Sequence, residues 1–535
     1  MSNPASDPKS VTGKPLAIDE TTDVLVIGAG AAGLEAAIQA AGRGLKVILV
    51  DENPVSCTTM GDDVPLHYGQ GMAANARNRN AMMEAFVASQ PRIAEAFEAG
   101  VDVRLGVACW ALYANGPALG WMPGLVAGLA DDERTSLVQP SHVVLACGRR
   151  DMGLAFPGWE KPGVMGASAA YALSQRYGAL GPRRLVVLGS STEALSTALA
   201  LREAGAQIAA IVEQARAPVG DAALVERLRE GGAEILTGHV VREATGADHV
   251  EAALVAALDE RGLPKGEERA IACDGIILAV GATPVIDLLD AAGGKVAFQP
   301  GRGGYAPVLD ADQRTSLPNV YAVGDGAGVW GAKTLDASIA QREAARAVAA
   351  IAGAATGESA SPPAPDHDIS EYRLGWVRAS VVAARAEVHV CQCEEVTARE
   401  ILEVRPPRYL DWTNERRNDR SLSALLGEGP PNPDQVKRLT RAGMGLCQGR
   451  RCREQIAALL ALGAGQPLPA IPLAGYRAPT RPMPLSLMAH VPEAPEQTEH
   501  WDTWFGMQAQ WRPFWEVPAR YTVAENDATG PAASE

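Results

Sequence analysis

Residues 23–52, DVLVIGAGAAGLEAAIQAAGRGLKVILVDE, constrain the fold more than any other stretch of the chain. An apolar run ends in a Gly-rich turn. An Ala-rich helical pattern follows, and a second apolar run ends on an acid. Gly28 permits the tight turn, Gly30 lets a pyrophosphate approach the backbone, and Gly33 lets the helix pack close to the strand. The helix N-terminus at Ala31 and Ala32 offers N–H groups to phosphate. Asp51, followed by Glu52, sits where an acid accepts hydrogen bonds from a ribose. The expectation is a dinucleotide site.

A second strand–turn–helix–strand unit spans 183–214. Its turn, Gly189-Ser190-Ser191-Thr192-Glu193-Ala194, has Ser191 in place of the middle glycine, and Glu213 ends its second strand. A side chain at Ser191 tends to block a pyrophosphate, so a second nucleotide (ATP or NAD) and an empty fold both stay open. Strands ending at Ala146-Cys147-Gly148 and at Gly281 punctuate the two units, and Gly324-Asp325-Gly326 precedes a helical pattern over 337–352. Asp325 is placed to bind a cofactor's sugar-alcohol chain. Strands alternating with helices predict an α/β, doubly wound, Rossmann-like architecture. The second unit lies inside the first in sequence, so one domain is split around another.

The resulting layout is a tail over 1–21, a first domain over 22–165 and 296–355, and an inserted nucleotide-type domain over 166–295. A linker over 356–384 leads to a small α-rich module over 385–465 and a Pro-rich, aromatic extension over 466–535.

The module carries Cys391-Gln-Cys393 and Cys447-Gln-Gly-Arg-Arg-Cys452. Four thiolates in two close pairs can wrap one metal centre. Zinc pairs usually leave two to four residues between ligands, so gaps of one and four favour a [2Fe-2S] cluster. Zinc and a metal-free reading remain open. Residues 405–453 hold eleven Arg or Lys against five Asp or Glu. Arg450, Arg451 and Arg453 would stabilise an anionic cluster; a solvated basic face is the alternative, and the dock of an acidic electron acceptor a third option.

These motifs together resemble the two-dinucleotide-domain flavoproteins. LTRAGMGLCQGRRC, Phe156-Pro-Gly-Trp159 with Pro162-Gly163-Val164, and the run 477–482 are similar to the large subunits of heteromeric amine-oxidising dehydrogenases. That group includes the hydrogen cyanide synthase, octopine/nopaline oxidase, hydroxyproline dehydrogenase and archaeal proline dehydrogenase subunits. The resemblance implies FAD on Gly28, Gly30, Ala31, Ala32, Gly33, Asp51, Glu52, Ala146, Gly148, Gly324 and Asp325. It implies a cluster on Cys391, Cys393, Cys447 and Cys452. It also implies a flavin-containing β subunit that carries the substrate site, with room for a small third subunit. A self-contained NAD(P)H-dependent reductase is the alternative. Disulfide reductase chemistry is disfavoured, because Cys57 has no partner at C-x-x-C or C-x4-C spacing. No acid–base set for substrate oxidation is legible.

Three departures accompany the resemblance. Residues 56–61 read Ser-Cys-Thr-Thr-Met-Gly where the group shows Gly-Gly-Gln. An Arg-, Asn- and Pro-rich insertion spans 405–433. Seven aromatics crowd 501–521, from Trp501 to Tyr521, as a self-packed tail or an interface with a partner.

Charge narrows the partners. Lys plus Arg is 48 and Asp plus Glu is 63, a net charge of −15, which disfavours nucleic acid. No apolar run is long enough for a membrane span, and no leader-like segment opens the chain. Eight cysteines in 535 residues are too sparse for a disulfide scaffold, so a reducing, cytoplasmic setting is expected.

Overall fold

The computed structural model describes residues 17–54, 79–116, 122–354, 365, 367–384, 387–406 and 421–489. Cys57, the 56–61 segment, residues 407–420 of the 405–433 insertion and the aromatic tail lie outside them. The described residues up to 483 form one unit, and those beyond it, 484–489, hold the helix Leu485–Ala489.

The first sheet runs in the spatial order Asp102–Leu105, Val47–Asp51, Glu20–Ile27, Thr135–Leu145, Val126–Ala130, Ala108–Tyr113. Val320–Ala322 joins it beside Thr135–Leu145. Its first three strands, Thr135–Leu145 and Val320–Ala322 pair in parallel, and the remaining two strands are antiparallel. Val47–Asp51 is buried at every residue, as a parallel strand covered on both faces must be. Helix Ala31–Ala41 packs on helix Ala337–Ile351, through Ala36, Ala37 and Ala40 on one and Ala340, Ala344 and Ala347 on the other. Small side chains at this seam let the two helices approach closely beneath the sheet. The first strand begins at Glu20, paired with Val138, so the tail ends two residues earlier than composition suggests.

The second sheet is fully parallel, in the order Glu234–Thr237, Gln207–Glu213, Arg184–Leu188, Gly275–Leu278, Val164–Gly166. Strands Arg149–Asp151 and Ala282–Pro284 pair antiparallel where the chain crosses between the folds. Helix Asp287–Ala291 follows, and its Leu288 and Leu289 sit in the core of the first domain. The chain therefore returns to the first domain before residue 295.

The stretch read as a linker over 356–384 contains a packed helix, Ile369–Val377. Asp368 caps it by accepting from Ser370 N and Glu371 N. Tyr372, Leu374, Trp376 and Val377 are buried. The Pro- and Ser-rich composition of 356–366 masks this signal. The module beyond is a short hairpin, His389–Cys391 with Val396–Thr397, and helices Ala398–Leu402, Leu422–Glu428, Pro433–Thr440 and Arg453–Ala464. Thr397 and Glu400 form a capping box on the first of these helices. One apolar core holds Val186 and Val240 of the inserted fold, Trp376, and Leu459 and Leu460 of the module. Each such fully buried side chain contributes about 1.5–3 kcal/mol, so this shared core ties the module to the inserted fold.

Candidate functional site

A cavity of about 610 Å³ opens at the first Gly-rich turn. Gly28, Gly30, Ala31, Ala32, Gly33, Asp51, Glu52, Ala146, Gly148, Gly324 and Asp325 all line it. The three glycines differ in what requires them. Gly28 has φ +109°, and a Cβ there would stand 2.2 Å from the Ala146 carbonyl oxygen. A Cβ on Gly33 would stand 1.8 Å from the Gly28 oxygen, so helix–strand packing demands glycine. A Cβ on Gly30 would meet nothing within 4 Å. Nothing in the chain needs glycine at that position, whereas a ligand at van der Waals distance would. Helix Ala31–Ala41 has no side-chain cap and no acid in its first turn, which leaves its leading N–H groups available to an anion.

Asp51 accepts from Ala29 N at 2.6 Å and from Asn53 N and Nδ2 at 2.8 Å each. It braces the turn, and its capacity for further donors is correspondingly reduced. Glu52 accepts from Arg481 Nε at 2.6 Å. The Gly324-Asp325 turn is held from beneath. Lys333 Nζ donates to the Gly324 oxygen at 2.9 Å, and Glu343 Oε2 accepts from Gly324 N at 2.9 Å. Lys333 and Glu343 pair with each other at 2.8 Å, with side chains 1% and 9% exposed. Burial pulls Lys333 down and Glu343 up, while their mutual attraction opposes both shifts.

Cations outnumber carboxylates around the cavity. Arg149, Arg150, Arg176, Lys333, Arg450, Arg451 and Arg481 face Asp51, Glu52, Asp151, Asp287 and Asp325. Such a wall in an acidic chain suits an anionic ligand. Asp287, 1% exposed, accepts from Arg150 at 2.7 and 3.1 Å and from Arg481 at 3.0 Å. Burial opposes its charge, but the two guanidinium groups outweigh burial and hold it well below the usual carboxylate range. Asp151 accepts from Ser168 N at 2.7 Å, and burial pushes it up to about 6. Cys147 also lines the cavity, and burial pushes its thiol up to about 12. Lys333, Glu343, Arg150 and Asp287 carry no local sequence signal that marks them. Arg481 lies in the 477–482 run.

The four cysteines of the module converge. Cys391 Sγ lies 3.9 Å from Cys393 Sγ, and Cys393 Sγ lies 3.6 Å from Cys447 Sγ. Cys391 also meets Cys452 and accepts from Gly443 N at 3.4 Å. A Cβ on Gly445 would stand 2.5 Å from Cys393 Sγ, so only glycine lets that loop close over the sulfur. Cys393 is exposed and the other three are buried. The neighbouring Cys391 thiol pushes Cys393 up to about 11. Among the described residues no group of three or more His, Cys, Asp and Glu has the geometry of a single-ion site.

The cysteine loop and the cavity share a wall. Arg450 and Arg451, just before Cys452, line the cavity. Arg451 Nη1 donates to Gln392 Oε1 at 2.6 Å, and its guanidinium stands 5.6 Å from the Trp159 ring centroid. Trp159 lines the cavity and donates from Nε1 to the His389 oxygen at 2.9 Å. A Cβ on Gly153 would stand 2.2 Å from the Arg451 oxygen, so the contact is backbone to backbone.

The second Gly-rich turn is built otherwise. Ser191 caps helix Thr192–Glu203 by accepting from Ala194 N at 3.3 Å. Glu213 is fully buried and accepts from Ser190 Oγ at 2.6 Å, Tyr372 Oη at 2.8 Å and Ala215 N at 2.8 Å. No helix among the described residues is long and apolar enough to cross a membrane.

Residues 22–354 match the pyridine nucleotide-disulphide oxidoreductase family. The chain is 28% identical to an opine oxidase subunit of Agrobacterium tumefaciens (strain Ach5), over 88% of this chain and 92% of that protein. It is 28% identical to the HcnB subunit of hydrogen cyanide synthase from Pseudomonas aeruginosa, over 80% of this chain and 90% of that one. Its likeness to the alpha subunit of sarcosine oxidase from Rhizobium meliloti (strain 1021), at 25% identity, covers 83% of this chain but 40% of that longer protein. L-proline dehydrogenase from P. horikoshii shares the fold, with a TM-score of 0.56, 20% identity and coverage of 89% of this chain and 81% of that one.

Proposed function

The chain belongs to the pyridine nucleotide-disulphide oxidoreductase family, and from that premise we propose that it is the FAD- and [2Fe-2S]-carrying subunit of a heteromeric dehydrogenase. Its complex oxidises the C–N bond of an amino acid or an opine-like substrate. The substrate site lies on a flavin-containing β subunit, with room for a small third subunit.

The observation that carries this reading is the shared wall: Arg450 and Arg451 face the large cavity and immediately precede Cys452. In the reading, Gly28, Gly30, Ala31, Ala32 and Gly33 bind the FAD pyrophosphate at the uncapped helix N-terminus. Asp51 and Glu52 face the ribose, Ala146 and Gly148 line the cavity beside the glycines, and Gly324-Asp325 meets the sugar-alcohol chain. Lys333 and Glu343 hold that last turn in place. Cys391, Cys393, Cys447 and Cys452 hold the cluster, and Arg451, which donates to Gln392 between the first two, supplies a positive charge that favours its reduction. When bound, FAD supplies a two-electron carrier and the cluster a one-electron carrier.

The test is co-expression with a flavin-containing partner. The complex oxidises an amino acid or opine substrate, and this chain alone does not. Full turnover by the isolated chain overturns the proposal.

A further inference from the structure

The family fold implies a second nucleotide at the inserted domain, and the residues there do not fit one. A dinucleotide turn needs an open helix N-terminus for pyrophosphate and a strand-end acid free to receive ribose hydroxyls. The first turn of this chain has the open N-terminus; the second has neither feature. Where a pyrophosphate would lie, the chain lays its own backbone. A Cβ on Gly220 would stand 2.4 Å from Thr192 N and 2.5 Å from the Ser191 carbonyl carbon. On either side of Gly220 the strap is pinned. Val219 N donates to Ser190 Oγ at 3.0 Å, and Asp221 N donates to Thr192 Oγ1 at 3.2 Å.

Where ribose hydroxyls would lie, Tyr372 places its own hydroxyl on Glu213, 2.8 Å away. Glu213 and Ser190 are 0% exposed, so no ligand reaches either without displacing protein. Tyr372 belongs to helix Ile369–Val377, which packs on helix Arg453–Ala464 of the cysteine module. Its ring meets Trp376 edge-on at 6.2 Å.

We infer that the inserted dinucleotide fold takes no nucleotide: the 219–221 strap and the Tyr372 hydroxyl occupy its pyrophosphate and ribose positions, and the fold serves as the anchor of the cysteine module. Glu213 is thereby a positioning residue for helix Ile369–Val377. Electrons do not enter this chain from a nicotinamide held there.

The test uses the full-length, FAD-loaded chain and ADP, the moiety common to ATP, NAD and NADP. Hydrogen exchange is followed over 184–221 with and without about 1 mM ADP, which saturates an ordinary micromolar nucleotide site. No added protection of 189–194 is expected. Tyr372→Phe, which removes only the hydroxyl, is expected to speed exchange in 369–377 by about tenfold or more, in proportion to a lost hydrogen bond to a buried carboxyl. Saturable ADP protection of 189–194 overturns the inference. Unchanged exchange of 369–377 in the variant overturns the anchoring role. The ADP experiment needs no variant, so it decides the nucleotide question even where Tyr372→Phe fails to fold.

Discussion

Arg451 donates from Nη1 to Gln392 Oε1 at 2.6 Å, joining the wall of the large cavity to the residue between Cys391 and Cys393. One guanidinium therefore touches the surroundings of two sites that lie far apart in sequence. Arg451→Met removes the hydrogen bond and the positive charge while keeping most of the side-chain volume. Stability should fall by about 1–2 kcal/mol in a urea titration. In the reconstituted protein the cluster's midpoint potential should move downward, because a cation beside an anionic cluster favours its reduced form. An unchanged potential separates Arg451 from the cluster.

The glycines of the first turn give a sharper contrast. Gly30→Ala should leave the stability within about 1 kcal/mol of wild type, because the new methyl meets no protein atom. FAD retention through gel filtration should nevertheless drop about tenfold or more, a loss of roughly 1.4 kcal/mol in binding. Gly33→Ala should do the reverse in order, destabilising the fold by about 1–3 kcal/mol even without flavin, through the contact with the Gly28 oxygen. Equal effects of the two substitutions on FAD-free stability would contradict the assignment of Gly30 to a ligand.

Asp287 compensates two guanidinium groups in a dry setting. Asp287→Asn should cost about 3–5 kcal/mol at neutral pH, since Arg150 and Arg481 lose a buried charged partner. The carboxyl is held below its ordinary 3.8, so its contribution is present above that value and fades only as pH falls below it. Urea midpoints of both proteins between pH 7 and pH 4 should therefore stay apart by a constant margin. A margin that closes well above pH 4 refutes the pairing.

Asp151 has the opposite sign. Burial raises it from 3.8 to about 6, so the folded protein binds its proton more tightly than the unfolded chain does. Its contribution is fully present below the unfolded value and is lost as pH rises through about 6. Asn cannot titrate but can still accept from Ser168 N. In the FAD-free protein, wild type should gain on Asp151→Asn by about 1–3 kcal/mol as pH falls from 7 to 4. A flat difference across that range would place Asp151 in water.

The parts legible in the sequence are those whose physics is local. Gly28 and Gly33 announce themselves because a tight turn and a close helix need glycine within a few residues of each other. Cys391 through Cys452 are legible by spacing, and the structure brings them together. The closure of the second turn is not local: Tyr372 stands 159 residues from Glu213, and no window of sequence joins them. Glu213 resembles a ribose ligand in sequence because its position, not its partners, is visible in the chain. Lys333 and Glu343 read as ordinary helix residues until folding buries them together beneath Gly324. The helix at Ile369–Val377 is hidden by the Pro- and Ser-rich run before it, although Asp368 and Trp376 carry its cap and its buried face.

Metal and flavin analysis of the anaerobically purified full chain, with its visible spectrum, decides whether one chain holds a flavin and an iron–sulfur cluster across a shared wall. One FAD and about two irons per chain are expected, with cluster absorption that is lost in Cys391→Ser while the flavin bands remain. Zinc without iron, or four cysteines that bind no metal while the flavin is retained, would contradict that expectation.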